Sequence, residues 1–290
     1  DLLEIGRQVR PHMYDLNLDK PAPLANEAMR FEVAERLNWQ GEVVTPLTDA
    51  EASRVAKQVV ESGAEAVAIC FLFAYLNPEH ERKLRDAILS LKPEMRVSIA
   101  SDVQPEFREY ERFQTTAINA YLQPLLASYV EHLASGLNHR VGSATLGINQ
   151  SSGGLMSAKK TAAFPVRTAL SGPAAGAVGA AYVARNADRP FVITLDMGGT
   201  SADVALIANA DTEITFQRDV AGFPIRLAMV DIDTVGAGGG SIAWFERDGL
   251  LKVGPISAGA APGPACYGQG GTEPTVTDAN LVLGRLSATG

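Results

Sequence analysis

The sequence predicts an α/β protein, and three observations carry that reading. Residues 66–72 form an unbroken apolar run, the pattern of a strand covered on both faces. Segments of helical period lie on either side of it, over 48–63 and 77–91, and a second short strand pattern follows at 96–100. Beyond Pro190 glycines and strand patterns replace helical ones. Strand, helix and strand in this order predict a right-handed crossover.

The elements follow in chain order. Pro11, Pro21 and Pro23 break up the opening, and segments 29–36 and 42–45 flank Gly41 as a β-hairpin. Thr48 and Glu51 have capping-box spacing, and Ala52, Val55, Ala56, Val59 and Val60 then recur at helical intervals up to Gly63. Asn77-Pro78 supplies an N-cap and a first-turn proline for a helix bearing Leu84, Ile88 and Leu91. Phe107, Tyr110, Phe113, Ala117, Tyr121 and Leu122 form one stripe, read as core, while the charges of 106–112 read as a solvated helix face. Pro124 predicts a kink, or the start of a second helix with Leu125, Leu126, Tyr129, Val130 and Leu133. A strand at 145–149, a small-residue helix at 173–187, strands at 191–197 and 203–208, a hairpin around Asp248-Gly249 and a helix at 278–286 complete the chain. A lobe boundary is expected near 188–190.

Composition narrows the function. The chain has 290 residues with 25 Lys+Arg against 33 Asp+Glu, a net charge of −8, and no basic run, which excludes duplex nucleic acid as a partner. No apolar stretch reaches the ~18 residues of a membrane span. Cys70 and Cys266 lack metal-ligand spacing, so a reducing cytoplasm is expected. His12, His80, His132 and His139 show no metal-binding spacing and read as solvated. Opening at Asp1 rather than Met, the chain reads as an internal piece of a longer polypeptide.

Chemistry concentrates in glycine clusters. Two apolar strands enclose Asp196-Met-Gly198-Gly199-Thr200-Ser201, a turn too tight for a helix. Its glycine amides could form an anion-binding nest, Thr200 and Ser201 could add hydroxyl donors, and Asp196 could hold Mg²⁺; an ordinary Gly-Gly hairpin is the other reading. Gly236, Gly238, Gly239 and Gly240 imply close backbone approach, to a ligand or to another segment, but the cluster is not a dinucleotide fingerprint, and a P-loop is excluded. Ser171-Gly172-Pro173 could open a helix with an anion site at its start, or the small residues could serve packing. Asp231 and Asp233 alternate along a strand and could bind a divalent cation or simply face solvent. Asp278 reads as a helix cap, and Cys266 as a buried structural thiol.

These blocks carry a resemblance. Asp196-Met-Gly-Gly-Thr-Ser-Ala-Asp203 resembles the second phosphate loop of the hydantoinase A / N-methylhydantoinase / 5-oxoprolinase family. Glu4-Ile-Gly-Arg-Gln8, Pro105-Glu-Phe-Arg-Glu-Tyr-Glu-Arg112, Ser171-Gly-Pro-Ala-Ala-Gly176 and Gly236-Ala-Gly-Gly-Gly-Ser241 resemble further family blocks in the same order. So do 258–268 and 274–285, and the likeness covers nearly the whole chain. It implies a partial two-lobed fold of the actin–hexokinase–Hsp70 (ribonuclease H-like) class. Residues 1–118 would be the remainder of the family's N-terminal region, and 119–290 its hydantoinase A region, with the second phosphate-loop lobe starting near 189. The resemblance implies ATP and Mg²⁺ (or another divalent cation), with Asp196, Gly198, Gly199, Thr200 and Ser201 at the phosphates and Gly236, Gly238, Gly239 and Gly240 near the nucleoside.

It implies an ATP-dependent cyclic-amide hydrolase that phosphorylates a lactam oxygen to make it a leaving group. The alternatives are an ATP-dependent ketone carboxylase subunit, or a subunit that binds nucleotide or a partner without catalysis. A hydantoinase B-like subunit or domain is the implied partner. Another Asp-x-Gly-Gly-Thr loop is expected upstream of Glu4, so the 290-residue piece alone should turn over negligibly. The family usually reads Asp-Ile-His where this chain has Asp231-Ile232-Asp233, an acid in place of an imidazole.

Overall fold

The computed structural model describes residues 2–9, 13–15, 17–18, 21–142 and 145–288; Pro11 and His12 lie outside the described residues. The chain forms two compact units, Asp1–Ser171 with Thr215–Met229, and Gly172–Ile214 with Val230–Gly290.

The first unit opens with α1 (Leu2–Ile5) and a small antiparallel pair, β1 (Arg36–Leu37) and β2 (Val43–Thr45). The predicted hairpin is thus shorter than its sequence pattern: Glu27–Met29 is a 3-10 helix, and residues 30–35 run without regular structure. Next come α2 (Asp49–Glu61), β3 (Ala66–Ile69), α3 (Glu79–Leu91), β4 (Arg96–Ile99) and α4 (Ala100–Val103). β3 and β4 pair in parallel with Ala66 opposite Arg96 and Ile69 opposite Ile99, as the strand–helix–strand order requires. Leu47, Val55, Val59, Ile69, Leu84, Ile88, Met95 and Ile99 form their common core. Thr48 Oγ1 accepts from Glu51 N at 3.2 Å, but the return half of the capping box is absent: Glu51 Oε1 accepts from Ala34 N at 2.9 Å. Its ion pair with Arg54 holds the Glu51 carboxyl down at about 2. Asn77 Oδ1 accepts from Glu79 N, while Pro78 itself occupies the cap position.

The long segment departs most from its sequence pattern. α5 (Glu109–Val141) is one helix of 33 residues that runs through Pro124 without ending. Its predicted stripe is core only in part: Ala117 is buried and Leu122 packs against Val103 and Ile118, but Phe107 just before the helix is 56% exposed and Tyr121 is 67% exposed. The buried face is mixed: Glu111, Arg112, Gln114, Thr115, Thr116, Asn119 and Gln123 lie beside Ala117, Ile118, Ala120, Ala127 and Val130. Several of these side chains bind backbone groups of neighbouring segments. Arg112 donates to Glu106 O at 2.7 Å and Phe71 O at 3.1 Å, and Asn119 bridges Ala163 O, Ser98 Oγ and Val166 N. Of the 106–112 charges, Arg108 and Glu109 are exposed as a solvated face requires, but Glu111 and Arg112 are buried, Glu111 pairing with Arg7.

His80 is also buried. Its Nε2 accepts from Leu47 N at 3.3 Å, so Nδ1 carries the proton toward Glu35 Oε2 at 2.7 Å. Glu81, on the same helix, takes Phe71 N and Ser101 N on its two oxygens at 2.9 and 2.8 Å. Burial pushes its carboxyl above the ordinary range against the pull of these amides and of Arg112. β5 (Gly147–Asn149), β6 (Leu155–Ser157), α6 (Ala158–Ala163) and the hairpin Arg218–Val220/Phe223–Ile225 complete the unit.

The second unit begins with α7 (Ser171–Asn186), whose Ala174, Ala177, Ala181 and Ala184 recur at helical spacing and are all buried. They pack against an antiparallel sheet of β7 (Phe191–Met197), β8 (Ala202–Ala208) and the strand Asp233–Val235, with β8 central. A second hairpin, Ser241–Phe245/Leu251–Ser257, turns around Asp248-Gly249, where Gly249 has φ +83°. The closing helix α8 (Val276–Val282) starts earlier and is shorter than its pattern: Thr275 is the cap, and Asp278 completes a capping box at the third position.

Candidate functional site

β7 and β8 place the 196–201 turn. Their register sets Asp196 opposite Asp203 and Met197 opposite Ala202, and Gly198 N donates to Ser201 O at 2.9 Å to close the turn. The 236–241 loop belongs to the same unit and lies directly behind it. Gly239 N donates to Gly198 O at 2.9 Å, and Gly240 N donates to Gly199 O at 2.6 Å. A trans peptide is planar, with its N–H and C=O antiparallel. Two carbonyls held toward the 236–241 loop therefore turn the N–H groups of Gly199 and Thr200 the other way. Gly199 and Thr200 are both exposed, and a Cβ built on Gly199 meets nothing within 4 Å.

The glycine loop behind is crowded instead. A Cβ on Gly238 would lie 2.6 Å from the backbone N and C of Thr200. Gly238 N donates to Ser241 Oγ at 2.8 Å, and Ser241 is fully buried. The amides of Gly238, Gly239 and Gly240 are thus all engaged by protein acceptors. Thr200 Oγ1 lies 3.4 Å from Ser257 Oγ, which places a second hydroxyl beside the turn.

Of the carboxylates singled out by sequence, the structure gathers only some. Asp196 shares a sheet face with Asp203, and the row continues to Thr234, whose Oγ1 donates to Asp203 Oδ1 at 2.6 Å. A cavity of about 380 Å³ opens on this face, lined by Pro173, Gly176 and Ala177 of α7 and by Thr194, Asp196 and Asp203. Asp203 was not among the residues singled out; counting outward from the Gly-Gly turn pairs it with Asp196. Asp233 stands opposite Val204, so alternation puts it on the other face of the sheet from Asp196. Asp231 is exposed, and its N–H donates to Glu213 O. Among the described residues, no three His, Cys, Asp or Glu side chains converge as a metal site.

Two further expectations change. Cys266 is exposed, not buried, and its thiol leans on the Asp278 carboxylate, which raises its pKa and disfavours the thiolate. Ser171 is the first residue of α7.

The comparison with known proteins bears on this arrangement. Residues 112–289 match the hydantoinase/oxoprolinase family, and residues 1–91 match the hydantoinase/oxoprolinase N-terminal region. The chain belongs to the hydantoinase/oxoprolinase family. Within that family it is 37% identical to caprolactamase subunit alpha of Pseudomonas jessenii over 99% of this chain and 42% of that one. It is 36% identical to the acetophenone carboxylase gamma subunit of Aromatoleum aromaticum over 93% of this chain and 37% of that one. It is 35% identical to 5-oxoprolinase of Saccharomyces cerevisiae over 99% of this chain and 24% of that one.

The fold is shared with solved structures. ATP-dependent caprolactamase from Pseudomonas jessenii superposes with a TM-score of 0.80 at 36% identity, over 98% of this chain and 42% of that one. Nucleotide-free acetone carboxylase does so with 0.75 at 30%, over 92% and 38%. The hydantoinase/oxoprolinase chain therefore has the α/β fold of these enzymes, in keeping with the actin–hexokinase–Hsp70 class. It spans less than half the length of these relatives. Among the described residues, no helix is long and apolar enough to cross a membrane.

Proposed function

We propose that this chain is the nucleotide-phosphate-binding part of a cytoplasmic, ATP-dependent enzyme that acts on a cyclic amide. The observation that carries the reading is the pair of outward amides, Gly199 N–H and Thr200 N–H, at an open turn beside Asp196. Successive amides on an exposed turn fit phosphate oxygens, and the hydroxyls of Thr200 and Ser201 fit as added donors. Asp196, paired across the strands with Asp203, fits a divalent cation that arrives with the nucleotide and keeps most of its water, as Mg²⁺ does. On this reading Asp231 and Asp233 contribute field rather than direct ligation, because Asp233 faces away from Asp196. Gly236, Gly238, Gly239 and Gly240 support the turn from behind, and only the exposed Gly236 end remains for contact with the rest of the nucleotide.

MgATP would supply the phosphoryl group that makes an amide oxygen a leaving group. The protein's own part is to bind and orient it. Amides fixed before the ligand arrives need no reorganisation, which is what makes such donors effective toward developing charge. A ketone carboxylase subunit is the second reading, favoured by the likeness to the acetophenone carboxylase gamma subunit and to acetone carboxylase. Relatives named as alpha and gamma subunits support a requirement for a partner subunit.

The test is MgATP turnover by the full gene product with its partner subunit, assayed with hydantoins, 5-oxoproline, caprolactam and small ketones. Lactam-stimulated phosphate release supports the first reading, and ketone-stimulated, bicarbonate-dependent release supports the second. No nucleotide binding in any combination overturns both.

A further inference from the structure

We propose that Thr277 is a positioning residue for the phosphate turn, acting through one peptide of the glycine loop; the inference rests on the nucleotide reading above. Thr277 N and Thr277 Oγ1 both donate to Gly239 O, each at 2.8 Å. That carbonyl belongs to the same peptide as Gly240 N–H, which donates to Gly199 O at 2.6 Å. The Gly199 carbonyl in turn shares its peptide with Thr200 N–H, one of the two amides turned outward. The result is a relay of two peptides from the first turn of α8 to the candidate phosphate donor. Hydrogen bonds in series polarise one another, so two donors on Gly239 O strengthen the donor at the far end.

The relay has a fixed base. Asp278, next in sequence, accepts from Thr275 N at 2.8 Å, Thr275 Oγ1 at 2.7 Å, Cys266 N at 2.7 Å and Ala265 N at 3.3 Å. Its own desolvation opposes ionisation, but the Cys266 and Thr275 donors prevail and hold the carboxyl well below the usual range. The capping box therefore locks the helix start to the loop before it, and Thr277 projects from that base. A Cβ on Gly239 would lie 2.8 Å from Thr277 Oγ1 and would push that hydroxyl from its place. Among the described residues the hydrogen bonds of Thr277 end at Gly239 O, so its influence on the turn passes through the backbone.

The experiment compares Thr277→Val, which removes the hydroxyl donor at nearly constant shape, with Thr277→Ser, which restores it, in the full gene product with its partner subunit. Thr277→Val should raise the Kd for MgATP about five- to tenfold, as loss of one hydrogen bond in series predicts, and Thr277→Ser should stay within about twofold of wild type. In ¹⁵N-labelled protein, the Thr200 amide proton should move upfield in Thr277→Val and return in Thr277→Ser. A purely structural role would lower the melting temperature while leaving MgATP affinity and the Thr200 resonance of folded protein unchanged, and that result overturns the proposal. Should Thr277→Val fail to fold, Thr277→Ala and Thr277→Ser decide by the same two readouts. Asp196→Ala is the control: if it loses MgATP while Thr277→Val does not, only the relay is wrong. If both bind MgATP normally, the nucleotide reading fails with it.

Discussion

Gly199 and Gly238 are neighbours in space and glycines for opposite reasons. Around Gly199 a side chain would meet nothing, whereas at Gly238 it would run into the backbone of Thr200. One loop is open and has amides to offer; the other is packed against it with its amides already engaged. Two glycine-rich loops that look alike in sequence thus divide into a binding surface and the scaffold that shapes it. A cluster of glycines signals close backbone approach, but only the partner of that approach tells which role each loop has.

The largest effect should come from the scaffold side. Gly238→Ala must displace Thr200, because the obstructing atoms are backbone and cannot swing aside; we expect a loss of about 3 kcal/mol or more in stability and no measurable MgATP binding by calorimetry. Wild-type binding by this variant would break the comparison. Next, Asp196→Ala should leave the fold intact, since Asp196 is exposed, but lower MgATP-dependent turnover on the order of a hundredfold. Unchanged turnover would remove Asp196 from the site. Ser241→Ala leaves the buried Gly238 N–H without its acceptor and should cost about 1–3 kcal/mol in chemical denaturation, with weaker nucleotide binding as a consequence.

A pH dependence belongs to the same scaffold. The folded-state pKa of Asp278 is depressed, so its contribution to stability is present above the ordinary carboxylate value and is lost as pH falls below it, toward the folded value. The melting temperature of wild type should therefore exceed that of Asp278→Asn at pH 6, and the gap should shrink as pH is lowered below about 4. A gap that widens on acidification contradicts the assignment. The smallest effect is expected at Gly199→Ala, which has space and no strained φ: stability within about 0.5 kcal/mol of wild type.

Much of this was legible in the sequence where the signal is local. The 196–201 turn follows from two apolar strands that leave only residues 198–201 between them, and the β3–α3–β4 crossover follows from apolar runs and caps. The first turn of α8 was legible in part, because Asp278 does cap, though at the third position. What failed was the assumption that a buried helix face is apolar. In α5 the face toward the core carries Arg112, Asn119 and Gln123 among its apolar residues, because it meets the backbone carbonyls of Phe71 and Ala163 and the hydroxyl of Ser98. His80 misled in the same way, since the partner that buries it, Glu35, is distant in sequence. The relay from Thr277 to Gly239 spans 38 residues and involves backbone atoms, which no residue pattern encodes.

The central claim is that the amides of Gly199 and Thr200 face outward to receive phosphate while those of Gly239 and Gly240 do not. Residue-resolved amide hydrogen exchange with and without MgATP tests it most directly. Gly239 and Gly240 should be protected in both conditions, and Gly199 and Thr200 should exchange freely without nucleotide and become protected on binding. Protection of Gly199 and Thr200 before MgATP is added, or none after it binds, would contradict the account.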